Sequence, residues 1–149
     1  MTVRSLLPWV VVAVTCLAVG TGLGSLLVRR SDSVMQVSMV SLSASHSRFL
    51  FNEGSDAAAE KALLEHLELL RDSEKTLDAS IFRTETVQTL VLLSALATVR
   101  NDAKAAERLL GDAMEQCHAS GIMRCDAERL RQSARQQLVR RGGMEPSSK

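Results

Sequence analysis

The chain has 149 residues, with 18 basic and 17 acidic side chains and a formal charge of +1. That is room for one domain plus an anchor, and the charge balance carries no global nucleic-acid signature. With one Trp, three Phe and no Tyr, the rings that build sugar platforms and base-stacking surfaces are scarce.

The N-terminus reads MTVRSLLPWVVVAVTCLAVGTGLGSLLVRR, and no charged residue falls between Leu6 and Val28. As a helix those positions would span roughly 34 Å, enough to cross a bilayer core of about 30 Å. Pro8 sits in the first turn, Trp9 suits a membrane–water interface, and Arg29 and Arg30 close the run. The expectation is a single-pass transmembrane helix. A cleaved signal peptide is the rival, but its apolar region is usually shorter and ends at a small-residue site. Cys16, Gly20 and Gly24 recur every four residues. They present a small-residue face on which a second membrane helix can pack, so a homodimer through this helix is one expected association.

Beyond the anchor the pattern is helical, with no period-2 strand signal. In SDSVMQVSMVSLSASHSRFLFNEG, residues Met35, Met39, Leu42, His46 and Phe49 follow helical spacing, against the weak helix propensity of the serines. Next, Ser55 or Asp56 can cap a helix whose stripe is Ala59, Leu63, Leu67 and Leu70. The run from Val87 to Val99 is apolar on nearly all sides yet too short to span a membrane, which predicts a buried central helix. Ala106, Leu110, Ala113 and Cys117 then share one face, with Gly121 as the stop. A last helix, capped by Asp126, turns Ala127, Leu130, Ala134 and Leu138 inward. The expected organisation is an anchor over residues 1–30, an all-α hairpin domain over 31–141 and a tail over 142–149.

The segment AAEKALLEHLEL, starting at Ala58, is echoed by AAERLLGDAMEQ, starting at Ala105. Each echo follows a short polar turn, the pattern of stacked helical hairpins. On these residues the hairpins resemble degenerate tetratricopeptide-type repeats, although the characteristic Trp, Gly and Tyr positions are not evident. The ending AERLLGDAMEQCHASGIMRCDAERLRQSARQQL is also similar to that of a group of small proteobacterial membrane proteins. In these an Ala/Leu-rich helix ends in Cys and a second Cys precedes a capped helix. The resemblance covers roughly Ala58 to Leu138 and implies a fold and a compartment, the bacterial inner membrane, but no activity.

Cys117 and Cys125 flank one helix–loop–helix corner, where a disulfide is the leading reading. Buried small hydrophobes, a metal site with His118 and a redox pair stand beside it, the last two lacking the usual spacings. The pair argues for a periplasmic domain, whereas Arg29 and Arg30 argue for a cytoplasmic one. The cysteines decide the expectation in favour of the periplasm.

Candidate chemistry is thin. Glu65, His66 and Glu68 lack the second His of a zinc-protease helix, so His66 reads as a solvated helix residue. Ser45, His46 and Ser47 lack an orienting group. The C-terminal helix region carries Arg124, Arg129, Arg131, Arg135, Arg140 and Arg141, either a solvated face or a basic rim for acidic lipid or protein. The functional expectation is a non-catalytic, membrane-anchored adaptor or scaffold with a protein partner, no nucleic acid, no metal and no cofactor. The alternatives are a small-ligand sensor, an accessory subunit of a membrane complex, or an adaptor facing the cytoplasm.

Overall fold

The computed structural model describes residues 34–120 and 125–142. The chain divides into two units, Met1–Met35 and Gln36–Lys149. The helices below belong to the second unit apart from the first two residues of α1. The Leu6–Val28 span with Cys16, Gly20 and Gly24, the stop at Gly121, Arg124 and the tail 143–149 lie outside the described residues. Among the described residues the fold is all-α, and no helix is long and apolar enough to cross a membrane.

Five helices follow one another: α1 (34–52), α2 (Asp56–Ser73), α3 (Ala79–Val99), α4 (Ala103–Ser120) and α5 (Ala127–Arg141). Each junction has a local cause. Gly54 at φ +84° takes the left-handed conformation that ends α1, where a side chain would be strained. The carboxylates of Asp78 and Asp126 accept from the backbone N–H groups of Ser80 and Glu128, at 2.8 and 3.0 Å, and so start α3 and α5. Between α3 and α4, Asn101 turns the chain at φ 60°, a conformation its short polar side chain tolerates. Asp102 then accepts from the Ala105 N–H at 2.9 Å. Ser55 precedes α2 in extended conformation, but its side chain makes no capping bond, and the Asp56 carboxylate is engaged by Arg141.

The all-round apolar helix is central, as its composition predicts. α3 packs on α2, α4 and α5, and α4 packs on α5. Leu90, Val91, Leu92, Leu93, Ala95 and Leu96 are all buried, and with Phe51, Leu63, Leu67, Ala113 and Ala134 they form the main core. Two buried hydroxyls of α3 are satisfied locally: Thr86 and Thr89 donate to the Phe82 and Glu85 carbonyls, each at 2.7 Å. The predicted stripes of α2 and α4 also face inward, with Ala59, Leu70 and Ala113 fully buried.

α1 forms over the segment whose helical spacing predicts it, and the residues that set that spacing face outward. Met35, Met39, Leu42 and Phe49 are 58%, 47%, 72% and 58% exposed, and His46 is exposed with them. The face that packs is instead Val40, Ala44, Ser47 and Phe51. Small residues let α1 lie close against its neighbours, and the Ser47 hydroxyl returns to the Ala44 carbonyl at 3.0 Å. The packed face is mixed in size, with Phe51 among the largest fully buried side chains beside the small Ala44 and Ser47.

Candidate functional site

The corner between α4 and α5 is closed covalently. Cys117 is buried near the end of α4 and Cys125 immediately precedes the cap of α5. Their Cα atoms are 5.7 Å apart and their sulfurs 2.06 Å apart. Both thiols pack on the main core, so the bridge fixes α5 to the bundle at its first turn. At the same end, Arg83 of α3 donates to the Ala119 carbonyl, where the C-terminal dipole of α4 favours a cation.

A polar network joins α1, α2 and α3. His66 is 1% exposed and its Nδ1 is hydrogen-bonded to Ser43 Oγ at 3.1 Å. Its Nε2 lies 3.8 Å from Glu85 Oε2, beyond hydrogen-bond length, so that contact is an ion-pair attraction when the imidazole is protonated. Arg48 Nη2 donates to Glu85 Oε2 and to Gln88 Oε1, each at 2.6 Å. This corrects the solvated reading of His66. The residue falls three positions after Leu63 and four before Leu70, both buried, which puts it on the inward face of α2.

Serine, histidine and glutamate are the residue types of a hydrolytic triad, but the arrangement differs from one in two respects. The imidazole is sealed from solvent, and the carboxylate is too far away to orient it. The network holds three helices in register. The Glu85 carboxyl is held below the usual carboxylate range by His66 and then by the Arg48 guanidinium, against the opposing effect of its partial burial. The folded chain therefore protonates Glu85 less readily than the unfolded chain does. The resulting stabilisation is complete above the ordinary value of 4.5 and is lost as pH falls through the lower folded value. Glu85→Gln is expected to flatten the decline in unfolding free energy below that pH, measured by urea titration at a series of pH values.

The predicted basic rim does not survive as one surface. Arg141 turns inward: its side chain is 9% exposed, pairs with Asp56 and lies 5.1 Å from the centroid of the Phe51 ring. Arg131 is held by Glu107 at 3.0 Å, with Glu128 at 3.8 Å. Of the rest, Arg129 and Arg140 fall on one side of α5, about three turns apart, and Arg135 projects elsewhere. Arg129, Arg135 and Arg140 remain exposed.

Arg140 borders a cleft of about 510 Å³ between α1, α3 and α5. It is lined by the apolar Phe51, Val87, Val91, Leu92 and Leu130 and by the polar Asn52, Gln88, Ser133 and Gln137, with Arg48 as a second arginine. Among the described residues no acidic side chain lines it. No family model, curated protein or solved structure matches the chain. What the cleft can do therefore rests on its own chemistry, which suits an apolar segment carrying negative charge. A second cleft, about 370 Å³ between α3, α4 and α5, has Ser94 on its floor and Arg131 and Arg135 beside it. The Ser94 hydroxyl, 1% exposed, has no hydrogen-bond partner. Among the described residues no group of three His, Cys, Asp or Glu is placed to hold a metal ion.

Sequence reasoning named Arg140 and Leu130 without bringing them to one site. It missed Gln88 and Gln137, which only the packing of α1 beside α5 brings to the same cleft. It also missed Ser43 and Glu85 as partners of His66, for which the sequence carries no local signal.

Proposed function

We propose that the protein is a non-catalytic interaction module, held at the bacterial inner membrane by its N-terminal segment with the helical domain in the periplasm. Its partner is a protein segment, apolar on one face and acidic at its edge, seated in the cleft between α1, α3 and α5. The observation that carries this reading is the apolar cleft bordered by Arg140, with no acidic lining and no ion-pair partner for Arg140 among the described residues. The repeat-like reading supports it: α3 packs on α2, α4 and α5, as the first helix of a hairpin does within a stack, and stacked hairpins present grooves to peptides. The bonded cysteines support the periplasm, where such bridges persist.

A phage-displayed peptide library selected against the protein tests the reading. Enrichment is expected for peptides with apolar residues at helical spacing and a flanking Asp or Glu. Arg140→Glu should weaken their binding by about tenfold, the loss of one well-placed charge contact. Peptides without acidic residues, or binding unchanged by Arg140→Glu, would contradict it. The orphan hydroxyl of Ser94 favours a second reading, a sensor that takes a small anionic ligand beside Arg135. Ligand screening in which binding depends on Ser94 and not on Arg140 would select it.

A further inference from the structure

We propose that the outward face of α1 is an interface between two copies of this chain, paired in parallel. The exposed residues Met35, Met39, Leu42, His46 and Phe49 follow one another at intervals of four, three, four and three. That is the 3.5-residue repeat of a two-helix seam, with His46 the polar position that fixes register in such pairs.

The face has the composition of an interface core, rich in Met and Phe and depleted of charge. No Asp, Glu, Lys or Arg occurs between Val34 and Ser47, although 23% of the whole chain is charged. A twofold contact sets each residue near its own copy, so a charged face would repel itself and an uncharged one does not. Arg48, beside Phe49, is held by Glu85 and Gln88, so the face has no free basic flank of the kind with which a helix lies on an anionic membrane. The face also gives an acidic or basic partner nothing to pair with. Two copies anchored in one membrane by the sequence before residue 34 would have their α1 helices pointing the same way. Only that direction rests on the membrane reading; the cleft reading plays no part.

The test uses the full chain in its membrane, in a Cys16→Ser background, with copper-phenanthroline oxidation and non-reducing electrophoresis. Met39→Cys should form a covalent dimer, and Ser41→Cys, exposed on α1 but off the seam, should form about tenfold less. Leu42→Asp, at a position 72% exposed and therefore harmless to the fold, should lower the Met39→Cys dimer by about tenfold. Circular dichroism of the purified full chain should show unchanged helix content. Equal cross-linking at positions 39 and 41, an adduct with a different protein, no dimer, or a dimer indifferent to Leu42→Asp would each overturn the proposal. None of these outcomes changes what Arg140→Glu does to peptide binding.

Discussion

Serine at either Cys117 or Cys125 is expected to lower the unfolding free energy by about 2.5 kcal/mol, and serine at both by little more. The magnitude follows from closing a loop with a sequence separation of 8, which removes conformations from the unfolded chain. Near-identical single and double costs separate a bridge from two buried thiols, whose losses would add. Urea titration of the three variants and of the reduced wild type checks this. Reductant should bring the wild type down to the level of the variants and leave the variants where they are. Costs that add, or a wild type indifferent to reductant, would show that the thiols act as core side chains.

The second large effect is expected at His66. His66→Ala should cost on the order of 3 kcal/mol, because it empties a fully buried site and leaves the Ser43 hydroxyl without its partner. Ser43→Ala should cost about 1 kcal/mol, the net worth of one hydrogen bond. The double variant should cost less than the sum, by roughly 0.5–1.5 kcal/mol, since both changes break the same contact. Urea titration of the cycle measures the coupling. Strict additivity would mean that the imidazole serves the fold by volume alone.

Much of this fold was legible because its helices are long and their stripes unambiguous. The run from Val87 is apolar on every side and could only be the centre. Ala106, Ala113 and Cys117 recur at one angle, and Asp126 stands where a cap belongs. Which face of α1 packs was not legible, for a physical reason. Hydropathy favours Met, Leu and Phe for the interior, yet the face of α1 that packs carries Ala44 and Ser47 beside Val40 and Phe51. His66 was legible in principle from its register with Leu63 and Leu70, had position been weighed above polarity. The cleft was not legible. Phe51, Val87 and Leu130 are far apart in the chain, and no local pattern announces that α1 and α5 flank the same side of α3. The arginines of α5 show the same limit from the other direction. Six share one stretch of sequence, yet Arg141 is spent inside the fold and Arg131 on α4, which leaves Arg140 to define the cleft's edge.

That a protein segment occupies this cleft is tested most directly by a photoreactive amino acid placed at Gln137, which lines it, and at Glu115, which is exposed on α4 and lines neither cleft. After irradiation of living cells, Gln137 should yield one discrete adduct with a protein other than the chain itself, and Glu115 none. Arg140→Glu should reduce that adduct by about tenfold. No adduct from Gln137, or the same adduct from both positions, would contradict the account.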